Sequence, residues 1–471
     1  MPTLAATLRA ELAAGGRYPA WDDAALRPLI PAPARRAATL AELCPRPLAF
    51  FTEALPMVTG WPDAPCAYLR FSAAYDRHAA AVRARGWQTR AFNGGHFLPA
   101  GRPGGGHGRP DRAGMRDGHG ESAGRGGTMR ILIIGGTGYM GPFVARQLAA
   151  QGHELTLFHR GQSQAELPKG IAHIHGDRAE IERFADEFRR LTPDVTLDMR
   201  PLIERDAQTA LAALRGATGR VVAISSMDVY RAYGRLIGTE PGEPDPIPLT
   251  EESPTRERHY PYRTDPPRAA DDPTRWRDDY DKLPIERLIL GDPALPGTIL
   301  RLPIVHGPGD EQRRFFGVLR RMDDRRPAIL LDRGLLRMLA CREYVENVAA
   351  AIALAVTDER AAGRIYNVCD AEPLTEEDWI RLVARAAGWG GEIVALSSAQ
   401  LPAHLRTSTD TRQDLFASSA RLRQELGYVP PIDRAEGLRR TIAWERANPP
   451  ATIDPALFDY AAEDAALAAR A

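Results

Sequence analysis

The run ILIIGGTGYMGPFVARQLAAQGHELTLFH, residues 131–159, limits the possible folds more than any other part of the chain. Ile131 to Ile134 are four consecutive apolar residues, the pattern of a parallel strand buried on both faces. Gly135, Gly138 and Gly141 then recur every third residue. Pro142 suits the first turn of a helix, and Val144, Gln147 and Leu148 carry a 3.6-residue repeat as far as Gly152. ELTLFH reads as a second strand immediately behind. Strand, tight turn, helix and strand in this order predict a βαβ unit of a doubly wound α/β fold.

Each glycine has a separate physical task in such a unit. Gly135 turns the chain sharply off the strand, Gly138 lets the backbone approach a pyrophosphate, and Gly141 lets the helix lie close to the sheet. The helix N-terminus then offers free N–H groups and a partial positive charge to the phosphates. Gly135, Thr137, Gly138, Tyr139, Met140 and Gly141 are therefore the expected dinucleotide loop. A glycine triplet alone is weak evidence; its place between strand and helix makes it specific.

Cofactor choice is read at the end of the second strand. A carboxylate there would accept the ribose hydroxyls of NAD, but the chain has His159 and Arg160. A guanidinium suits a 2′-phosphate, which favours NADP over NAD, with a solvated loop arginine as the alternative. HIHGD ends a third strand-like segment at Asp177, where a carboxylate can reach the adenine.

The bulk properties exclude several other classes. With 61 basic and 61 acidic residues, the formal charge is zero, which gives no electrostatic reason for nucleic-acid or membrane binding. Cys44, Cys66, Cys341 and Cys369 lack metal-ligand spacing, so no metal is expected and the thiols read as reduced. No uninterrupted apolar run is long enough to span a bilayer and no signal-like segment opens the chain, so the expectation is a cytoplasmic protein.

Residues 101–128 hold eleven glycines and no Ile, Leu, Val or aromatic residue, the composition of a flexible linker. The expected organisation is an N-terminal segment 1–100, this linker, a main domain 129–448 and an alanine-rich acidic tail 449–471 with no assigned role. Within the first segment, PCAYLRFSAAYD, RHAAAVRARGW and QTRAFNGGHF read as strand, helix and strand. Residues 40–100 thus resemble the C-terminal end of an α/β-hydrolase, whose triad histidine would map onto His96. No G-x-S-x-G elbow precedes it, so a truncated segment without hydrolase activity is expected.

From 129 to 445 the chain resembles the extended short-chain dehydrogenase/reductase family, the NAD(P)-dependent epimerases and dehydratases of sugar nucleotides. The resemblance rests on GGTGYMG, VVAISSMDVY (221–230), RLPIVHGPGD (301–310), CREYVENVAAAIALAV (341–356) and GRIYNVCDAEPLTEEDWIRLVARAAG (363–388), in the family's order. It implies a Rossmann-type doubly wound parallel sheet followed by a smaller C-terminal substrate-binding region. It also implies hydride transfer at a hydroxylated small-molecule substrate, a sugar nucleotide above all, by an oxidoreductase or isomerase. A homodimer through helices flanking the sheet is common in that family.

In the family a tyrosine phenolate is the base, a lysine lowers its pKa, and a serine or threonine bonds the reacting oxygen. The hydroxyl maps onto Ser226, and Arg342 onto a substrate-phosphate contact. Asp228 maps onto an acid used in proton transfer by dehydratases, with a turn-capping aspartate as the plainer alternative. The family's Tyr-x-x-x-Lys is broken here: Lys282 and Glu286 fit its second half, but Asp278 stands where the tyrosine belongs. Tyr280 can replace it only from outside the helix, because residues two apart on a helix face different sides. Pro284 favours a helix start near Leu283, which leaves Tyr280 on an extended approach. Tyr260 and Tyr262 are competing phenols. The remaining alternative is that no tyrosine acts, giving a non-catalytic dinucleotide-binding sensor or interaction protein.

The long stretch from Gly238 to Thr274 reads as a lid or binding element. Arg256, Arg258, Arg263 and Arg268 within it are either anion contacts or solvated loop residues.

Overall fold

The computed structural model describes residues 67–70, 88–91, 127–163 and 165–470. These fall in two units, Met1–Glu121 and Ser122–Ala471. In the first, strands β1 (Ala67–Arg70) and β2 (Gln88–Ala91) pair in parallel, with Ala67 opposite Gln88. The helix expected between them and the hydrolase-like His96 lie outside the described residues, as does most of the glycine-rich 101–128 segment.

The second unit is built on seven parallel strands. They are β3 (Arg130–Ile134), β4 (Glu154–His159), β5 (Ala172–His175), β6 (Val195–Asp198), β7 (Arg220–Ser226), β8 (Gly297–Leu302) and β12 (Ile365–Asn367). Their order across the sheet is β12-β8-β7-β6-β3-β4-β5. The chain runs outward from β3 to β5, then returns to the other side of β3 at β6, which creates a crevice beyond the strands' carboxyl ends. This is the expected Rossmann-type doubly wound sheet.

Successive residues of β3 supply both faces of the core. Ile131 and Ile133 join Val144 and Leu148 of the helix Gly141–Ala150 and Val348 and Ile352 of the helix Val345–Thr357. Leu132 and Ile134 join Leu211 of the helix Glu204–Leu214 and Ile285 and Ile289 of the helix Lys282–Leu290. Each such aliphatic side chain contributes about 1.5–3 kcal/mol by leaving water, so helices on both faces are needed to cover an all-apolar strand.

Beyond the sheet, two parallel strand pairs form a C-terminal region: β9 (Ile304–His306) with β11 (Arg342–Tyr344), and β10 (Ala328–Asp332) with β13 (Glu392–Leu396). The helix Glu376–Ala387 begins at Thr375 in a capping box with Asp378 and ends at Gly388, whose φ is +73°. The tail, whose composition assigns it no role, folds back on this region. In its helix Tyr460–Ala468 the buried Glu463 accepts hydrogen bonds from Arg321 and pairs with His404, each at 3.0 Å. Sequence composition could not anticipate this, because both partners are distant in the chain. Among the described residues no helix is long and apolar enough to cross a membrane.

Candidate active site

The glycine loop leaves β3 with Gly135 at φ +77°, a left-handed conformation that glycine adopts without a Cβ penalty. A Cβ on Gly141 would stand 2.2 Å from the Gly136 carbonyl oxygen, so only glycine lets the helix start there. A Cβ on Gly138 would meet nothing within 4 Å, so this part of the loop faces open space. At the helix start Met140 makes no side-chain cap and the first turn holds no acidic residue. The Gly141 and Phe143 N–H groups are spent on the carbonyls of Gly138 at 3.1 Å and Met140 at 3.2 Å and Pro142 has none, so the amides open to an anion are those of the loop before Gly141, not the helix N–H groups the sequence suggests. The loop thus fits a pyrophosphate on steric and electrostatic grounds.

Not every residue of the loop faces that ligand. Met140 packs against the core, while Thr137 is half-buried. Tyr139 also turns inward: burial, with Asp310 next, pushes its phenol far above the usual tyrosine range. Its hydroxyl has no hydrogen-bond partner among the described residues.

At the carboxyl end of β4, His159 is half-buried and Arg160 exposed. The exposed Asp177 carboxylate accepts the Ala179 N–H at 2.9 Å on Oδ1 and so caps a short 3-10 helix.

β7 delivers Ser226 to the same sheet edge, where its hydroxyl accepts the Asp228 N–H at 3.2 Å. Ser226 is therefore the turn cap, and Asp228 is not. The buried Asp228 instead accepts two phenols on one oxygen, Oδ2: Tyr280 at 2.9 Å and Tyr262 at 2.9 Å. Tyr233 in turn donates to the Tyr262 oxygen at 3.0 Å. Asp228 Oδ1 is buried without a hydrogen-bond partner among the described residues. The Ser226 hydroxyl lies beside the Tyr280 phenol.

Tyr280 stands outside the helix, which runs Lys282–Leu290 with Pro284 in its first turn. The Asp281 carboxylate caps that helix by accepting the Leu283 N–H at 3.1 Å. Extended backbone before it pairs Tyr280 with Ile203 in an isolated bridge and directs the phenol toward Ser226 and Asp228. Tyr262 joins it there, while Tyr260 lies with its ring 4.0 Å from the Arg263 guanidinium.

The electrostatics depart from the family pattern. Lys282 is buried, and its ammonium donates to the carbonyls of Pro201 and Ile224, the latter at 3.0 Å, with the Tyr280 ring centroid 5.7 Å away. Burial draws the lysine down to about 8. The Tyr280 phenol is raised well above its ordinary value, first by burial and then by Asp228; Ser226 and Arg256 offset only part of this. The expected lowering of the phenol pKa by the lysine is thus corrected: a carboxylate is its direct partner and favours the protonated phenol. Burial raises Asp228 as well, against the opposing pull of Arg256.

Asp278, at the missing tyrosine's position, is a structural anchor. It is buried and accepts the N–H groups of Arg268 at 2.8 Å and Thr264 at 3.3 Å, together with the Arg268 guanidinium. Arg256 donates to the Asp228 carbonyl and to Asp281, and Arg263 to the Asp278 carbonyl. Of the four loop arginines, three are occupied within the protein and Arg258 is exposed, so the stretch is tied down more than a free lid would be. Glu286 is likewise structural, holding Arg301 at 2.7 Å and the Ser225 hydroxyl.

Arg342 donates one Nη to Glu376 at 2.7 Å and lies over the Trp379 ring. Its Nε and other Nη have no partner among the described residues, and it lines a small cavity with Asp370, Trp379 and Phe416.

The sequence model described as the NAD dependent epimerase/dehydratase family matches residues 131–369, about half of the chain. The Chloroplast stem-loop binding protein of 41 kDa b of Arabidopsis thaliana is 25% identical over 324 residues, 66% of this chain and 77% of that protein. The UDP-glucose 4-epimerase of Streptomyces lividans is 25% identical over 354 residues, 67% of this chain and 95% of that protein. Among solved structures, the Bordetella bronchiseptica enzyme WbmG in complex with NAD shares the fold. Its TM-score is 0.51 at 17% identity, over 69% of this chain and 96% of that one.

Proposed function

Because the chain belongs to the NAD dependent epimerase/dehydratase family, we propose that it transfers hydride between NADP and a hydroxylated metabolite, a sugar nucleotide above all, as an epimerase, dehydratase or reductase. The observation that carries this reading is the set Ser226, Tyr280 and Asp228 at the carboxyl end of β7, in the same sheet whose β3 carries the glycine loop. NADP over NAD is supported by the exposed Arg160 and by the lack of a carboxylate at the end of β4. A sugar nucleotide is supported by the two unpartnered nitrogens of Arg342, which suit a phosphate, and by the likeness to a UDP-glucose 4-epimerase.

When bound, the nicotinamide supplies the hydride acceptor or donor. The loop from Gly135 to Gly141 would hold the pyrophosphate, and the third N–H of Lys282, beyond those given to Pro201 and Ile224, would be the one offered to a ribose hydroxyl. As a substrate alcohol is oxidised, its hydroxyl proton passes to the Tyr280 oxygen while the phenol's own proton moves to Asp228 Oδ2. Reduction runs the same relay backwards. A buried carboxylate with a raised pKa is a stronger base than an ordinary one, which suits Asp228 to the terminal role. Ser226 hydrogen-bonds the reacting oxygen.

The test is spectroscopic. The full chain is mixed with NADP or NAD and a panel of uridine and thymidine diphosphate sugars; absorbance of the reduced nicotinamide is followed, and conversion of the sugar is followed by chromatography because an epimerase or dehydratase returns the hydride. Turnover with NADP supports the reading. A second reading, dinucleotide binding without redox turnover, is favoured by Asp278 at the tyrosine position and by the relative named for stem-loop binding. Tight cofactor binding with neither reduction nor conversion of any sugar across the panel would select it.

A further inference from the structure

Three imidazoles meet at the carboxyl ends of β4 and β5, outside the Ser226–Asp228–Tyr280 set. His159 stands opposite His175 in the parallel register, and His173 shares a face of β5 with His175. One ring nitrogen from each lies within 4.8 Å of the other two. His159 Nε2 is 2.8 Å from His173 Nδ1, and the Gly161 N–H donates to His159 Nδ1 at 3.1 Å. The Gly161 bond therefore puts the shared proton on His159 Nε2, with His173 Nδ1 as its acceptor. The His175 ring has no hydrogen-bond partner among the described residues.

We infer that His159, His173 and His175 form a site for one first-row divalent cation of the zinc, nickel or cobalt type. Three imidazole donors without a carboxylate suit these ions and not magnesium or calcium, which take oxygen ligands.

The steric adjustment needed is small. Tetrahedral coordination at about 2.0–2.1 Å places ligand nitrogens about 3.3 Å apart. The His159–His173 pair opens by about half an ångström as the ion takes the place of the shared proton. His159 then carries its proton on Nδ1, and the Gly161 N–H, in an exposed residue, turns to water. His173 and His175 are exposed, so their rings are free to close on the ion and a fourth position faces solvent. Because the ligands project from paired strands, little backbone entropy is lost on binding. The site does not depend on the dinucleotide reading.

The chain holds 11 histidines, so binding must be assigned by comparison. After chelator treatment, the full chain and the double variant His173→Ala/His175→Ala are titrated calorimetrically with zinc chloride, nickel chloride and magnesium chloride. The expected result is one zinc or nickel equivalent, weakened by about tenfold or more in the variant, with no magnesium heat. Both replaced side chains are exposed, so the variant is expected to keep its Tm. As an independent readout, cobalt in the unaltered chain is expected to show visible bands of nitrogen coordination. Absent zinc and nickel heat, equal affinity in the variant, or a thiolate-to-cobalt band would each overturn the assignment.

Discussion

The Tyr280 phenol donates to Asp228 Oδ2 at 2.9 Å across 52 residues of sequence, and the carboxylate's other oxygen has no hydrogen-bond partner among the described residues. This pairing inverts the usual logic of a tyrosine activated by a lysine. Burial and the carboxylate raise the phenol's pKa, and in the proposed relay the carboxylate is the group that gains or loses the proton.

Asp228→Asn keeps the shape and one acceptor oxygen but cannot accept a proton. Turnover is expected to fall by about 10²–10⁴-fold, the usual worth of a positioned acid or base, while dinucleotide affinity stays unchanged. In the oxidative direction kcat/KM of the unaltered chain is expected to rise with pH as Asp228 ionises, above the ordinary carboxylate range, and the variant to lose that limb. A Tyr280→Phe variant with unaltered turnover would remove the phenol from the relay.

Two glycine substitutions separate folding from ligand binding. Gly138→Ala places a methyl in open space, so the Tm is expected to hold while dinucleotide affinity falls by about tenfold or more, since about 1.4 kcal/mol of lost contact suffices. Gly141→Ala drives a methyl into the Gly136 carbonyl and is expected to lower the Tm as well. Thermal melts and calorimetric titrations of both variants check this.

Arg160→Ala is expected to weaken NADP by about tenfold or more and to leave NAD nearly unchanged, because only the 2′-phosphate loses a charged partner. Parallel titrations with the two cofactors read the difference directly. Equal weakening of both would place Arg160 elsewhere in the site.

What the sequence made legible was local. The glycine loop was readable because its constraints, a left-handed turn at Gly135 and a close approach at Gly141, act within a few residues. Tyr280's place outside the helix followed from Pro284 for the same reason. What stayed hidden depends on distant partners. Asp228 meets Tyr262 and Tyr280 only after β7 and the loop before Lys282 are brought together. The part played by Asp278 depends on the path of residues 264–268, and the histidine trio on the register of β4 against β5. None of these arises from a periodicity or a spacing.

Glu445 offers a stability test. It is buried, accepting the Phe315 N–H at 3.2 Å on one oxygen, with no hydrogen-bond partner among the described residues for the other. Burial, with Asp310 adding to it against the Phe315 bond, raises its carboxyl to about 7 from 4.5. A raised folded-state pKa means that its stabilising contribution is present below about 4.5 and is lost as pH rises through about 7, in total about 3 kcal/mol. Glu445→Gln stays neutral throughout. Urea unfolding is expected to show the variant near the unaltered chain at about pH 5 and more stable at about pH 8.

Every step of the proposed chemistry requires a pyridine dinucleotide bound through the peptide amides between Gly135 and Gly141. Calorimetric titration of the full chain and of Gly138→Ala with oxidised and reduced NADP and NAD tests it most directly. Single-site heat with NADP tighter than NAD, weakened in the variant, is the predicted result. No heat from the unaltered chain with any of the four would contradict it.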